Sequence, residues 1–395
     1  MPPRIKIIPE KEKEVETKKD SLPNEEIDSS KTKLKQILKD YKEDHYNYED
    51  RIEWKISTGS LLLDMATGGG ISPCLIRICG ANNEGKTPQT LEIVRNFLST
   101  VENSKAFWVL AEGRGLSNEN KERCGLKFVY NPDEWNIGTV FVFESNVYEA
   151  FIKCVKDCVI GNEEKIKFCF VVDSIDGLQL KDDKAKDITE NNRVAGAPAL
   201  SKKMLQSLSL GMFKHGHLMI LISQVTSEIK IDPYAKTTNR GGNFSGGNAL
   251  LHASDWIFEY SNSYNGDYIL DNPKGKLNDG KTKTIGKWAK VAIQKSAIET
   301  SRKQLITYPI KFGKKPSGIW LEYEVTDMLL AWDLVKKIGN SAWLNFSDTI
   351  LEEMKTEGFD IEKQHQGIDN LRIYLEQNPL ITNFLYKKLK DVLST

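Results

Sequence analysis

Apolar residues recur along this chain of 395 residues in two alternating rhythms. Short unbroken runs read as buried strands: Leu75–Cys79, Ala106–Ala111, Thr139–Phe143, Lys167–Asp173, Leu218–Ser223, Asp255–Tyr260, Lys290–Lys295 and Leu305–Phe312. Between them, apolar residues fall at helical spacing over Thr90–Leu98, Val147–Val159 and Leu200–Phe213. Strand–helix alternation predicts an α/β fold, a mostly parallel, twisted sheet covered on both faces. The later strands follow one another closely, which predicts antiparallel members where the sheet ends. From about Val325 the pattern turns mainly helical. A small C-terminal α/β or helical domain is therefore expected over 326–395, after a core spanning 51–325.

The first 50 residues differ from the rest. Residues 1–30 are rich in Lys and Glu, poor in aromatics, and punctuated by Pro2, Pro3, Pro9 and Pro23. Such a composition buries too little apolar surface to order itself. Lys33–Tyr41 is the exception, with Leu34, Ile37 and Leu38 on one face of a short helix.

Composition narrows the setting. Hydrophobic residues make up 39% of the chain, enough for a sizeable core, and 55 basic residues balance 55 acidic ones. With no net charge, any contact with nucleic acid must come from local basic patches. No apolar run approaches the ~20 residues of a membrane helix, and the N-terminus lacks an apolar signal core. A cytoplasmic protein without a membrane partner is expected. The six cysteines show no zinc spacing and read as reduced, small core residues. His215-Gly-His217 reads as a turn before a strand rather than as a metal site.

The chemistry is concentrated after the first strand. Gly80-Ala81-Asn82-Asn83-Glu84-Gly85-Lys86-Thr87 matches G-x-x-x-x-G-K-[ST], a loop that cradles the phosphates of a nucleoside triphosphate. Its glycines let the backbone N–H groups face the phosphates. Lys86 reaches the β- and γ-phosphates, and the Thr87 hydroxyl ligates Mg²⁺. A strand before and a helix after supply the context the motif requires. Pro88 follows within the first helical turn, where a missing N–H is tolerated. Lys167–Asp173 is an apolar strand ending in an acid, and Asp173 there can hold Mg²⁺ through water. Glu112 follows another strand. It can activate water in line with the γ-phosphate, or it is a solvated acid in a Gly-rich turn. Gln224, also past a strand end, can hydrogen-bond the γ-phosphate. The stretch from Val225 to Gly247 carries Lys230, Tyr234, Lys236, Arg240 and Phe244. Basic residues among aromatics suit single-stranded nucleic acid, though a plain surface loop reads the same way. The stretch from Leu180 to Pro198 mixes basic residues, Arg193 among them, with as many acidic ones, and its charge says little.

The ordered set of motifs resembles the RecA recombinase family, including its bacteriophage members. Ile56–Asp64 with Gly68-Gly-Gly70 looks like the approach to that family's phosphate loop. Val171-Val-Asp-Ser174 is similar to its second ATP motif, and Ser223-Gln224 to the pair whose glutamine couples the γ-phosphate to the second DNA loop. Gly246-Gly-Asn-Ala-Leu250 closely matches the end of that loop, and Tyr374–Pro379 with Lys387–Leu393 looks like the C-terminal domain. The resemblance spans roughly 50 to 395. It implies that Gly80–Pro88 bind ATP, that Thr87 and Asp173 hold Mg²⁺, and that Glu112 is the catalytic acid acting with Lys86 and Gln224. It implies that Lys295 reaches a neighbour's ATP. Arg193, Lys202 and Lys203 then belong to the first DNA loop and its helix, and Gly246, Gly247 and Asn248 to the second. The implied activity is that of an ATP-dependent recombinase. Such a protein forms a helical filament on single-stranded DNA, with the N-terminal helix packed on the adjacent subunit. It pairs the filament with homologous duplex DNA. A non-enzymatic accessory protein and a hexameric helicase motor are the alternatives. The chain departs from the family at Ala297, where a second interface lysine is usual, at Pro88, in the first DNA loop and in the base-side residues after Glu112.

Overall fold

Burial selects the central strands. The computed structural model describes residues 29–41, 47, 49–113, 116–184, 203–206, 211–226, 243–244, 247–272, 275–277, 280–301, 303–313 and 318–394. The chain falls into two units, residues 1–49 and 50–395. In the first, helix α1 (Ser29–Asp40) forms where apolar spacing predicts one, and Leu34 and Ile37 on it are exposed. The low-aromatic stretch ahead of it lies outside the described residues.

The second unit is built on a mixed α/β sheet. Its main path runs β11-β10-β8-β1-β6-β5-β2-β4-β3, with β7 paired to β6 and β9 to β10. These strands are β1 (Leu75–Gly80), β2 (Ser104–Leu110), β3 (Lys127–Val129), β4 (Thr139–Glu144), β5 (Lys167–Asp173), β6 (Leu218–Thr226), β7 (Asn243–Phe244), β8 (Trp256–Tyr260), β9 (Tyr268–Leu270), β10 (Thr284–Lys295) and β11 (Leu305–Lys311). From β8 through β3 the neighbours on that path are parallel. The pairs β8–β10 and β10–β11 are antiparallel, as the close spacing of the later strands predicts.

Alternate residues of each strand enter opposite cores. Ile76, Ile78, Trp108 and Ile220 pack against Ile93, Val94 and Phe97 of α3 (Lys86–Thr100). Leu75, Val109, Val172 and Leu221 pack against Phe151 and Val155 of α5 (Tyr148–Ile160). Each such side chain, fully withdrawn from water, contributes about 1.5–3 kcal/mol. The sheet therefore holds its carboxyl edge rigidly, and that edge carries the chemistry. All six cysteines are free, four of them buried, and no described helix is long and apolar enough to cross a membrane. His217 is likewise a core residue. Its Nδ1 accepts the Phe168 N–H at 3.0 Å, and burial pushes its pKa down to about 3.

Several elements differ from the sequence expectation. Strand β10 begins at Thr284, six residues before the predicted start, because Gly286, Lys287 and Trp288 interrupt its apolar run. Helix α4 (Asn118–Cys124) is short and mostly polar, and strands β3 and β9 are only three residues each, so their pattern is weak. Beyond the core a second sheet, β12 (Val335–Lys337), β13 (Trp343–Phe346) and β14 (Gln364–Gln366), accompanies the helices Leu321–Ala331, Asp348–Thr356, Ile368–Gln377 and Pro379–Ser394.

A buried polar seam joins this C-terminal part to the segment before β1. Ser60 caps helix α2 (Leu61–Ala66), and the Glu324 carboxylate accepts from the Ser60 hydroxyl and, at 2.9 Å, from the Leu61 N–H. Ser57 and Thr58 donate to Asp64, Gln89 and Asn96 of α3 donate to the carbonyls of Thr58 and Ser57, and Tyr386 meets the Ser57 hydroxyl at 3.1 Å. Burial pushes Glu324 up to about 8, against the hydrogen bonds from Ser60 and Leu61. The folded state thus keeps a proton that the unfolded chain releases near pH 4.5. This contribution to stability is complete below that pH and is lost as pH rises through about 8. Thermal stability is expected to fall between pH 5 and pH 9. Glu324→Gln, which mimics the protonated acid, should flatten the slope by up to about 1.4 kcal/mol per pH unit. An unchanged slope in melts across that range would remove Glu324 from the account.

Candidate functional site

The loop after β1 is shaped by what lies beneath it. Gly80 has φ 139°, and a Cβ there would stand 2.4 Å from the Tyr260 carbonyl oxygen. Gly85 has φ 112°, and its Cβ would stand 2.6 Å from Ile310 Cδ1. Both positions need glycine for backbone and for space. The floor is stiff, since the Tyr260 and Tyr308 hydroxyls meet at 2.6 Å beneath it. Helix α3 starts directly at Lys86, so its first-turn N–H groups point into the loop's concavity.

This concavity opens into a cleft of about 360 Å³ at the carboxyl edge of the sheet. Strand register delivers the groups. Gly80 pairs with Gln224, and Leu110, two residues before Glu112, pairs with Asp173. Lys86, Thr87, Glu112, Asp173 and Gln224 all line the cleft, as do Asn82, Asn83 and Pro88. Crevices of this kind, at the carboxyl ends of parallel strands, are where open α/β sheets bind ligands.

The polar groups of the cleft form one connected set. The Lys86 ammonium donates to the carbonyls of Gly80 at 2.7 Å and Ala81 at 2.6 Å. Burial lowers its pKa, while Asp173 pulls the other way. The Thr87 hydroxyl lies 3.5 Å from Asp173 Oδ2. Burial, reinforced by the Glu112 charge, pushes Asp173 up to about 6, against Lys86 and Thr87. A buried carboxylate held above its usual range favours a cation. With Thr87 it makes the pair of oxygen ligands that suits Mg²⁺ when phosphates and water complete the shell. Glu112 Oε1 accepts from the Ser174 hydroxyl and, at 3.2 Å, from the Gln224 side-chain amide. The Gln224 N–H donates to Asp176 Oδ2 at 2.7 Å, and Arg77 Nε donates to the neighbouring Ser223 hydroxyl at 3.2 Å.

Other residues singled out in the sequence lie elsewhere. Glu84 is not among the residues lining the cleft, and its carboxylate accepts from Ser263 and Lys287. Lys295 stands on β10 with its ammonium on the carbonyls of Leu251 (3.2 Å) and His252 (2.6 Å), at the end of the helix Gly247–Ala253. Gly247 and Asn248 open that helix, and Phe244 lies in β7, antiparallel to β6. Lys203 is exposed in a helical stretch, 203–206. Arg193, Lys202, Lys230, Tyr234, Lys236, Arg240 and Gly246 lie outside the described residues.

The structure adds residues that sequence reasoning missed. Ser174 and Asp176 lie one and three residues after Asp173, and their place just past a strand end was the available signal. Asn120, Lys287 and Phe312 also line the cleft. Phe312 ended a predicted strand, but nothing in the sequence pointed to a buried Lys287.

No protein-family model matches the chain. Among curated proteins, it is similar to Protein RecA of Rickettsia canadensis (strain McKiel), 24% identical over 340 residues. Protein RecA of two Rickettsia bellii strains, OSU 85-389 and RML369-C, matches to the same extent. In each case the match covers 85% of this chain and 83% of the relative. With the fold and the cleft as described, these matches support a RecA-like family for this chain.

Proposed function

We propose that the protein is an ATP-dependent, single-stranded-DNA-binding recombinase. It assembles as a helical filament on single-stranded DNA and pairs it with homologous duplex. One observation carries the reading above all: Gln224 joins Glu112 in the cleft to the β6–β7 connection, the stretch that holds Lys230, Tyr234, Lys236 and Arg240. A group that touches the hydrolytic acid and stands on the strand leading into that stretch can report the state of one to the other.

The roles proposed for the cleft residues draw on their contacts, and that of Lys295 on the resemblance. Lys86 exchanges its loop carbonyls for phosphate oxygens. Thr87 and Asp173 hold Mg²⁺, which supplies charge neutralisation on the phosphates. Glu112 orients and deprotonates the attacking water. Gln224 leaves Glu112 for the γ-phosphate, which frees the acid and repositions the end of β6. Phe312 offers an aromatic edge to the base. Lys295 serves a neighbouring subunit's ATP across the filament interface.

The test is ATP turnover by the full chain with and without single-stranded DNA, alongside electron microscopy of the mixture. Stimulation of tenfold or more, with filaments that need ATP, is expected. Turnover indifferent to DNA, without filaments, would overturn this reading, and no turnover at all would replace it with that of a non-enzymatic accessory protein.

A further inference from the structure

Lys287 is a buried cation that the roles proposed above for hydrolysis and DNA binding do not use. It lies on β10, two residues before Ala289, and that alternation turns both toward the phosphate loop. A Cβ on Gly85 would stand 3.6 Å from Ala289 Cβ. Lys287 is 5% exposed. Its ammonium donates to the Asn83 carbonyl, to Glu84 Oε2 at 2.9 Å and to the Ser263 hydroxyl at 3.4 Å. Glu84 in turn accepts from the Ser263 N–H at 3.1 Å and from the Ser263 hydroxyl.

Withdrawing an ammonium from water is costly unless acceptors surround it. Here the Asn83 and Glu84 acceptors belong to the phosphate loop and the Ser263 hydroxyl to the turn after β8. Asn83 itself has φ 63°, a left-handed conformation that asparagine reaches more readily than most residues with a side chain. The cluster therefore fixes the shoulder of the loop through the Asn83 carbonyl and Glu84. Glu84 is tuned to stay charged: burial raises its pKa, but the hydrogen bonds from Ser263 and Lys287 win and lower it.

We infer that Lys287 is a positioning residue, a strut that with Glu84 and Ser263 holds the phosphate loop in its nucleotide-ready shape before ATP arrives. This rests on the nucleotide-binding reading of the cleft. A loop already in its bound shape loses less freedom on binding, so the strut acts on affinity. It reaches the loop's shoulder rather than the γ-phosphate end, so ATP and ADP depend on it equally.

The experiment compares the full-length wild type with Lys287→Met, Glu84→Gln and the double variant. It uses equilibrium titration with Mg-ADP, steady-state ATP turnover and thermal melts without nucleotide. Lys287→Met should weaken Mg-ADP binding about tenfold, the worth of one charge-assisted hydrogen bond. KM for ATP should rise by a similar factor, with a smaller change in kcat. The double variant should be no worse than the worse single, because both break the same strut. A lower melting temperature with unchanged Mg-ADP affinity and KM overturns the inference, since that is what a purely structural ion pair gives. If Lys287→Met does not fold, Glu84→Gln decides alone by the same two readouts. Wild-type protein that binds no Mg-ADP overturns the nucleotide reading and the strut with it.

Discussion

Glu112→Gln is expected to lower ATP turnover by about 10²–10⁴-fold, the usual worth of a positioned general base, while ATP-dependent binding to single-stranded DNA persists. The substitution keeps the length and polarity of the side chain. Its amide oxygen still accepts from Ser174, which donates to Glu112 Oε1. What it cannot do is take a proton from water. Lys86, Thr87 and Asp173 are untouched, so ATP still enters the cleft and Gln224 still meets it. The outcome is a protein locked in its ATP state on DNA. Single-turnover hydrolysis and fluorescence anisotropy of labelled single-stranded DNA measure the two halves separately. Turnover within tenfold of wild type would take the base assignment away from Glu112, and lost DNA binding would mean that the acid holds the site together rather than acting in it.

Gln224→Ala is expected to break the communication instead. The amide donates to Glu112 at 3.2 Å, and its own N–H is fixed by Asp176 at 2.7 Å, so it sits at a defined place at the cleft end of β6. ATP can raise DNA affinity only as far as it distinguishes the two states of the connection beyond β6. One hydrogen bond to a charged group is worth about 1.5–3 kcal/mol, and couplings of this size correspond to about 10–150-fold. The variant should bind ATP nearly as well as wild type in the absence of DNA, yet lose most of the ATP-dependent gain in DNA affinity. By reciprocity, DNA should lose its effect on ATP affinity by the same factor. Anisotropy titrations with and without a non-hydrolysable ATP analogue give one side of that equality, and nucleotide titrations with and without DNA give the other. An intact gain in the variant would assign the coupling to another group.

The parts of this molecule that were legible in its sequence share a physical property. Strands such as Lys167–Asp173 are buried on both faces, so they appear as unbroken apolar runs whose last residue marks the cleft. Lys86 and Thr87 could be named from the Gly80–Thr87 motif, Asp173 because it ends such a run, and Glu112 and Gln224 because each stands just past one. Strand β10 was only half legible, since Gly286, Lys287 and Trp288 look like a turn until Gly286 is seen packed against the Ile310 carbonyl and the Trp320 ring. The polar partners were not legible at all. Nothing local tells Glu84 to face Ser263, or Glu324 to cap α2 from more than 260 positions away. Those choices follow from which elements the sheet brings together. The C-terminal strands β12–β14 were missed because each is only three or four residues long.

Pro88 bears on timing. A helix opens with N–H groups that have no intrahelical partner, and these are the groups that grip an anion. At the third position of α3 this chain has a proline, which carries no N–H to give. On the proposed nucleotide reading, the cradle grips phosphate with one backbone donor fewer than a helix start without proline would offer, and ADP is expected to leave it sooner.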